Sequence, residues 1–300
     1  MTPTYWLASY PKSGNTWFRI VAANLWSGSD SPIDINRIDS TDSIASARPR
    51  IDERCLVDTG LLFHDEIDRL RPIFYAYAAR RAAHDDSDEQ RVPVRLVKSH
   101  DAYTRLSDGT PLLAGRDGAA GAVLFVRDPR DVACSFANHL AKSINATIGH
   151  MANPDYCLAG GTDRQPFQLR QRLLDWSGFA ASWLDQSDIP VHLVRYEDMI
   201  AAPVPTIRAA FEFCGVDPDP ARLDRAIAWA SLDELQRQEA ASGFREAPRK
   251  AKTFFRRGVA GGWRDELDAD QAARIERDHA PMMRRLGYAI EADAATRRRA

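Results

Sequence analysis

The first stretch that could do chemistry is SYPKSGNT, Ser9 to Thr16. The apolar run Trp6–Ala8 before it predicts a short buried strand, and apolar residues at helical spacing from Trp17 to Leu25 predict a helix after it. A glycine-containing turn between a strand and a helix start is typical of an anion site, because the first N–H groups of the helix have no internal partners and carry its positive dipole end. The sequence therefore predicts that this turn binds a negatively charged group.

Lys12 distinguishes this turn from the P-loop that binds ATP or GTP. In that P-loop the lysine directly follows the second glycine, whereas Lys12 stands two residues before Gly14. When Gly14 and Thr16 are aligned with the pattern, Ser9 takes the place of the first glycine and Asn15 that of the lysine. Nothing near the turn resembles an acidic second motif for holding Mg²⁺. The turn therefore suits a doubly anionic group without an obligatory metal.

Two further stretches carry arginines at positions that suit a phosphate. VLFVRDPRDVACSFANHL places Arg127 at the end of an apolar run and Ser135 on the helix that follows. FFRRGVAGGWRDEL places Arg256 and Arg257 beside Gly258. Guanidinium groups bind phosphate oxygens bidentately, and a glycine lets the backbone approach the same group. Pairing of Arg127 with a neighbouring carboxylate on the surface is the alternative.

A lysine and a histidine end the second predicted strand, in LVKSH. Lys98 and His100 are two residues apart, so on a strand their side chains point to the same face. A neutral imidazole near pH 7 can accept a proton from a hydroxyl group, whereas a lysine supplies positive charge. The pair is therefore a candidate for the chemical step.

Together these stretches resemble the signatures of the sulfotransferases that use 3′-phosphoadenosine 5′-phosphosulfate (PAPS), in the same order from residue 10 to residue 263. The resemblance implies that the residues of the turn bind the 5′-phosphosulfate: Lys12, Ser13, Gly14, Asn15 and Thr16. It implies that two other groups bind the 3′-phosphate: Arg127 with Ser135, and Arg256, Arg257 and Gly258. Arg257 replaces the lysine that is usual in the family.

The resemblance also implies where the adenine binds. Trp17 is similar to the adenine-stacking tryptophan of the family, and Tyr196 to a tyrosine near the nucleotide. Leu232 stands where the family has an aromatic ring, which implies weaker stacking at that position. Ordinary helix packing of Trp17 and core packing of Tyr196 are the alternatives.

Sulfuryl transfer must stabilise the leaving phosphate, align the acceptor hydroxyl and take its proton. By resemblance, Lys12 neutralises charge on the bridging oxygen, Lys98 supplies charge to the transferred group, and His100 is the general base. The family often continues this segment with Leu-Pro, whereas Asp101 and Ala102 follow here. Asp101 could therefore orient His100 or compete with it as the base.

The elements that must position these residues follow from four short apolar runs, which predict strands at 6–8, 94–99, 121–127 and 190–199. Such runs, alternating with helical stretches, indicate a parallel sheet covered by helices on both faces. We therefore predict one α/β domain over residues 1–300 with a P-loop-like sheet. Helices are predicted at 66–82, 128–140, 167–186, 204–215, 220–231 and 268–287. Flexible loops are predicted near 27–60, 141–166 and 236–253, the first with short helical pieces, and a charged connection is predicted at 84–91 and a charged tail at 293–300.

The composition is that of a globular chain, with 300 residues, 44% hydrophobic content and a formal net charge of -2. This balance does not favour nucleic acid or an anionic membrane as the partner. Cys55, Cys134, Cys157 and Cys214 lack the spacing of a zinc site or a compact disulfide framework. No apolar run reaches about 18 residues, and the first strand leaves no room for a signal peptide. We predict a cytoplasmic protein that needs no metal and has no membrane span.

The oligomeric state is not predicted. Many cytosolic relatives carry the dimer motif K-x-x-x-T-V-x-x-x-E after their C-terminal tryptophan. Aligned on Trp263, Arg264 takes the lysine position, but Asp268, Ala269 and Ala273 do not match the rest. Asp268 is instead predicted to be the N-cap of the last helix.

These features favour transfer of the sulfuryl group of PAPS to a hydroxyl of an unidentified acceptor, which could be a small molecule, a glycan or a glycolipid. The product of the donor would be 3′-phosphoadenosine 5′-phosphate (PAP). A nucleotide-dependent kinase on the same fold is one alternative, which the position of Lys12 disfavours. A non-catalytic binder of adenosine bisphosphate is the other, which the combination of Lys12, Lys98 and His100 disfavours.

Overall fold

The structure is a computed structural model that describes residues 2–40, 44–82, 92–162, 166–248 and 253–291. Its strands are β1 (Thr4–Ser9), β2 (Arg95–Ser99), β3 (Gly121–Val126), β4 (Cys157–Leu158), β5 (Gln171–Arg172) and β6 (Val191–Arg195). The central sheet has the order β2-β1-β3-β6, and each neighbouring pair is parallel. Each of its strands overlaps one of the four apolar runs, so the predicted parallel sheet is confirmed.

The side chains of β1 explain why the sheet is covered on both faces. Trp6 and Ala8 belong to one buried apolar cluster, and Leu7 belongs to a second. Because successive side chains of a strand point to opposite faces, β1 buries both of its faces. Removal of this apolar surface from water is the main stabilising term for the sheet.

The helices divide between the two faces. They are α1 (Asn15–Trp26), α2 (Arg48–Cys55), α3 (His64–Ala82), α4 (Gly115–Gly118), α5 (Pro129–Leu140), α6 (Ile144–Met151), α7 (Trp176–Leu184), α8 (Tyr196–Ala201), α9 (Pro203–Phe213), α10 (Pro220–Trp229), α11 (Leu232–Ser242) and α12 (Ala269–Arg285). Side chains of α3, α5, α7 and α12 join the cluster of Trp6, and those of α1, α9 and α10 join the cluster of Leu7. The predicted α/β architecture, with helices on both faces of one sheet, is confirmed.

Capping residues fix where two of the predicted helices begin. The Asp128 carboxylate accepts a hydrogen bond from the backbone N–H of Arg130, and Pro129 stands in the first turn of α5. Asp268 and Gln271 form a capping box at the start of α12. The prediction that Asp268 is an N-cap is therefore confirmed.

The predicted helix at 167–186 is too long, because α7 begins at Trp176. The residues before it are extended: β5 pairs with β4, and the Arg172 guanidinium donates to the Asp68 carboxylate at 2.8 Å. Leu169 and Leu173 are fully buried. Their helical spacing therefore reflects the burial of an extended segment and not a helix.

The predicted loop at 27–60 contains short helical pieces as expected, and the other two predicted loops contain more regular structure than expected. Helix α2 lies within 27–60, α6 lies within 141–166, and α11 covers the start of 236–253. The flexibility of these segments stays a prediction. The charged connection at 84–91 and the tail at 293–300 lie outside the described residues.

Candidate active site

One cavity of about 660 Å³ opens beside the turn that follows β1. Every residue that the sequence assigned to the site lines this cavity except Ser13. The lining residues come from the ends of β2, β3 and β6 as well as from the turn after β1. The fold therefore brings together stretches that are up to about 250 residues apart in the chain, as parallel sheets do at the carboxyl ends of their strands.

The turn after β1 has an unusual backbone. Lys12 and Gly14 both have positive φ, of 70° and 100°, and helix α1 begins directly afterwards at Asn15. A Cβ atom on Gly14 would lie 2.8 Å from the Tyr196 ring, so glycine is required for space as well as for conformation. The Asn15 amide donates to the carbonyl of Leu7 at 2.8 Å and ties the helix start to β1. The turn is thus preformed, with the helix N-terminus aimed at the cavity.

Lys12 carries the functional group of the turn. Its Nζ lies 3.6 Å from the centre of the Phe254 ring, a cation–π contact. Burial, and to a lesser extent the positive charges of Lys98 and Arg127, lower the pKa of Lys12 to about 7. The ammonium is therefore held without a carboxylate contact, in surroundings that would favour an anion beside it.

His100 is oriented by the end of β1. Its Nδ1 donates to the Ser9 carbonyl at 2.7 Å, which fixes the tautomer and leaves the lone pair on Nε2. Burial lowers the pKa of His100 to about 3, with a further contribution from the charge of Lys98. The imidazole is thus neutral at pH 7 and can accept a proton at Nε2.

Asp101 does not orient His100. Its carboxylate accepts two hydrogen bonds from Arg71, at 2.5 and 3.3 Å, and one from the backbone N–H of Arg172 at 2.9 Å. The side chain is fully buried and does not line the cavity. The alternatives in which Asp101 acts on His100 or replaces it as the base are therefore wrong.

Lys98 has a partner that sequence reasoning missed. Its Nζ donates to the Glu246 carboxylate at 3.1 Å, and Arg19 donates to the same carboxylate at 2.7 and 3.0 Å. Burial lowers the pKa of Lys98, while the negative charge of Glu246 acts in the opposite direction. Glu246 lies in a polar segment outside the motifs, so no local signal in the sequence identifies it.

Arg127 lies between the turn and the C-terminal phosphate segment. Its guanidinium donates to the carbonyls of Lys12 at 3.3 Å and Val259 at 3.0 Å, and it lies 4.2 Å from the centre of the Tyr196 ring. The nearest approach to Asp131 is 4.0 Å. Arg127 lines the cavity. The alternative, in which it pairs with a neighbouring carboxylate, is weak because the contact with Asp131 is at the distance limit of an ion pair.

The arginines of the C-terminal segment are ion-paired. Arg256 forms a bidentate pair with Glu266 at 2.6 and 2.7 Å, and Arg257 contacts Asp265 at 2.5 Å. Gly258 has a φ of 60° and packs against the Leu232 side chain, 2.9 Å from where a Cβ would lie. Leu232 thus forms a wall of the cavity at the position where the family has an aromatic ring.

The predicted adenine side is built on Trp17. Its indole N–H donates to the carbonyl of Ala230 at 2.9 Å, which fixes the ring at the cavity wall.

Ser135 lines the cavity from α5. His139, one helical turn further on, also lines it and was missed. Burial lowers the pKa of His139 to about 3, and the charges of Lys12 and Lys98 add to this effect; the spacing of four from Ser135 is the signal that could have found it.

Metal clusters, disulfides and membrane-spanning helices are features of other protein classes. Within the described residues no cluster of three or more His, Cys, Asp or Glu side chains could hold a metal ion. The four cysteines are free thiols. No helix of the described ranges has the length and apolar character needed to cross a membrane.

Known proteins resemble this chain in sequence and in fold. The sulfotransferase domain family matches residues 2–287. Flavonol 3-sulfotransferase of Flaveria bidentis is 20% identical over 288 residues, which cover 90% of this chain and 78% of that protein. A mouse sulfotransferase complexed with PAP superposes with a TM-score of 0.56 at 15% identity, covering 94% of this chain and 85% of its own. Retinol dehydratase in complex with androsterone and PAP gives a TM-score of 0.54 at 16% identity, with coverages of 94% and 81%.

The chain therefore belongs to the sulfotransferase family, because the family match spans nearly its whole length. The structural matches show that its fold is the fold of these enzymes. The prediction of a sulfotransferase enzyme is confirmed.

Proposed function

We propose that this sulfotransferase transfers the sulfuryl group of PAPS to an acceptor hydroxyl, with His100 as the general base. The main support for the proposal is that one cavity is lined by the predicted PAPS-binding residues other than Ser13 and also by Lys98 and His100. The mouse sulfotransferase and retinol dehydratase structures each contain PAP, which supports the same donor for this chain.

The residues of the cavity fit an anionic donor. Within the described residues, the buried Ser13 hydroxyl and the buried Nε of Arg127 have no hydrogen-bond partner. An unpartnered buried donor group is costly, and Arg127, which lines the cavity, would gain a partner for its Nε from a phosphate oxygen. The N-terminus of α1 offers the remaining donors for the 5′-phosphosulfate.

We assign the 3′-phosphate to Arg127 and Ser135, with Arg256, Arg257 and Gly258 completing its site. Because Arg256 and Arg257 already contact acidic side chains, they would share their guanidinium groups with the phosphate. Their guanidinium groups can do so because their side chains remain 34% and 39% exposed. The adenine would lie between the Trp17 ring and the wall that includes Leu232 and Tyr196.

In the reaction, the acceptor oxygen forms a bond to sulfur while the bond from sulfur to the phosphate oxygen breaks. His100 takes the acceptor proton at Nε2, since its Nδ1 proton is held by Ser9. Lys12 neutralises the charge that grows on the leaving oxygen. Lys98 supplies positive charge to the sulfuryl oxygens during the transfer. The products are PAP and a sulfate ester.

The acceptor is a hydroxyl compound of a class that stays open between a small molecule, a glycan and a glycolipid. Metal-independent transfer, a cytoplasmic location and the absence of nucleic-acid partners also stay predictions. A kinase would bind ATP with Mg²⁺, whereas a non-catalytic binder would bind PAP and transfer nothing. Measurements of ligand binding and of transfer therefore separate both alternatives from sulfuryl transfer.

The test is a thermal-shift and calorimetric comparison of PAP without Mg²⁺ against ATP with Mg²⁺. We expect PAP to stabilise the protein and Mg-ATP to have little effect, because Lys12 is displaced from the position that serves a triphosphate. A preference for Mg-ATP would support the kinase. Incubation with sulfur-labelled PAPS and a panel of phenols, sterols, sugars and glycolipids then identifies the acceptor. Binding of PAP without transfer to any of them would support the non-catalytic binder.

A further inference from the structure

Glu246 is an anion in a cavity that is otherwise suited to anions. Among the described residues that line the cavity, it is the sole acidic side chain. None of the roles proposed above uses it. Its position beside Lys98 therefore needs a separate explanation.

Two cations hold the Glu246 carboxylate. Arg19 donates to both of its oxygens, and Lys98 donates to one of them. The Arg19 side chain is 3% exposed and that of Glu246 is 28% exposed. Burial alone would raise the pKa of Glu246, but Lys98 and Arg19 lower it to about 2. The carboxylate is therefore charged at any pH at which the enzyme is folded and active.

The backbone around Glu246 is fixed as well. The Asn36 side chain donates to the carbonyl of Gly243 at 3.0 Å and accepts from the backbone N–H of Arg245 at 2.6 Å. Phe244 is buried and its ring packs 4.7 Å from that of Phe254 and 5.1 Å from that of Phe255. Glu246 is thus a preorganised part of the site and not the tip of a free loop.

This arrangement limits the attraction that Lys98 can exert on another anion. A carboxylate at hydrogen-bonding distance offsets much of the positive potential of an ammonium group. The sulfuryl group of the donor and the sulfate ester of the product are both anionic, and both would lie near Lys98 and His100. An unmatched lysine at this point would hold the sulfated product and slow its release.

We propose that Glu246 is a specificity-determining residue. Arg19 holds its carboxylate in place, and the carboxylate weakens the electrostatic attraction between Lys98 and sulfuryl groups. It thereby sets the preference of the site between PAPS, which carries the sulfuryl group, and PAP, which lacks it. The inference rests on the proposed function, because it assumes that PAPS binds with its sulfuryl group beside Lys98.

The test measures dissociation constants of PAP and PAPS by calorimetry for the wild type, Glu246→Gln and Glu246→Ala. Glutamine keeps an oxygen that Arg19 can donate to, and alanine provides a second variant if the first folds poorly. We expect the preference for PAPS over PAP to rise roughly tenfold in both variants through loss of the fixed like charge, with PAP affinity changed less than about twofold. In the complex with PAP, we expect inorganic sulfate to bind more tightly to both variants than to the wild type at matched ionic strength.

Glu53→Gln is the matched control, because it makes the same chemical change on the exposed side of α2. It should leave both affinities unchanged. In a Lys98→Met background, the effect of Glu246→Gln on the preference should shrink to below about threefold. Equal changes for PAP and PAPS, or no change for either, would overturn the inference and leave Glu246 with a structural role. A wild type that binds neither ligand would instead overturn the proposed function, and the inference with it.

Discussion

His100 and Asp101 are neighbours in the chain but belong to two regions with opposite charge balance. On the Asp101 side is a buried ion network, defined by Asp68, Arg71 and Asp101, in which each charge contacts an opposite one. On the His100 side is a group of cavity cations, Lys12, Lys98 and Arg127, in which burial and then the charges of Lys98 and Arg127 lower the pKa of Lys12. Lys98 shares the Glu246 carboxylate with Arg19, so Glu246 offsets only part of this positive charge. The fold satisfies its own charges in the first region and leaves positive charge for a ligand in the second.

The ion network also fixes the backbone that carries His100. The carbonyl of Asp101 accepts from the Trp183 indole at 3.1 Å, and the N–H of Ala102 donates to the carbonyl of Arg172 at 2.7 Å. A general base must be held within a narrow geometry. The ion network therefore supplies rigidity, and the cavity cations supply binding and catalysis. Substitutions should separate the two, with effects on unfolding in one region and on turnover or donor affinity in the other.

The largest effect is expected at His100. His100→Ala should lower turnover by roughly 10² to 10⁴, the usual contribution of general acid–base catalysis. Steady-state and single-turnover rates measure this loss, and calorimetry with PAP should give an affinity close to that of the wild type. Near-normal turnover in the variant would contradict its role as the base.

Asp101→Asn tests the network. It removes the closer of the two carboxylates that pair with the buried Arg71 guanidinium and leaves Asp68 as the remaining partner, which should lower the free energy of unfolding by about 3 kcal/mol. Urea denaturation measures the change. The control is Asp185→Asn, in an exposed pair with Arg285 whose side chains are 58% and 45% exposed, where a much smaller loss is expected because water screens the pair. Similar losses in the two variants would remove the contrast between matched and unmatched charges.

Lys12→Met tests whether the cavity cations act on the chemical step. Single-turnover rates at saturating PAPS should fall by at least about 10²-fold, the scale for loss of one preorganised electrostatic donor. Saturation cancels a pure binding defect, so the variant separates the two roles of Lys12. If saturating PAPS restores the wild-type rate, Lys12 only anchors the phosphate, and Lys98 becomes the candidate for stabilising the leaving group.

Arg127→Ala should act on binding instead. Loss of a charge-assisted hydrogen bond to the 3′-phosphate should cost about 1.5 to 3 kcal/mol of PAPS affinity. The comparison ligand is adenosine 5′-phosphosulfate, which lacks that phosphate and should be much less affected. Equal losses with the two ligands would mean that Arg127 acts by holding the carbonyls of Lys12 and Val259.

The smallest effect is the dependence on pH. Lys12 has a pKa lowered to about 7, so the free enzyme loses this ammonium as the pH rises through 7. We expect kcat/KM for PAPS to fall above that pH, by up to about tenfold per pH unit. A bound anion favours the ammonium, so the corresponding limb of kcat should lie at higher pH. No acid limb from His100 is expected above pH 5, since its pKa is lowered to about 3. A flat kcat/KM profile up to pH 9 would contradict the lowered pKa of Lys12.

The cavity cations were predictable from the sequence because each follows a local pattern. Lys12 stands in a strand-turn-helix signature, and Arg127, Lys98 and His100 stand at the ends of apolar runs whose strands flank β1 on its two sides and run parallel to it. The ion network was not predictable, because Asp101 and Arg71 are 30 residues apart and belong to a strand end and a helix. Because the sequence does not reveal that contact, Asp101 was considered both as a residue that orients His100 and as its replacement as the base.

Glu246 escaped prediction for the same reason. Its partners Arg19 and Lys98 lie 227 and 148 residues earlier in the chain, and nothing in its own segment sets it apart from a solvated glutamate. Helix α6 was missed because it has only 8 residues, and packing against neighbouring elements outweighs the weak local propensity of so short a segment. Local patterns thus identified the residues that face the donor, and tertiary contacts decide what holds them.

The position of β1 in the sheet also bears on how the protein is made. The first strand of the chain is an inner strand, flanked by β2 and β3, whose residues are 95–99 and 121–126. During synthesis both edges of β1 therefore stay unpaired until β2 has left the ribosome, and one edge stays unpaired until β3 follows. Non-local pairing of this kind slows folding and exposes apolar strand surface to other chains. A low local concentration of copies, or a chaperone, would therefore protect the newly made chain from association until β3 has been made.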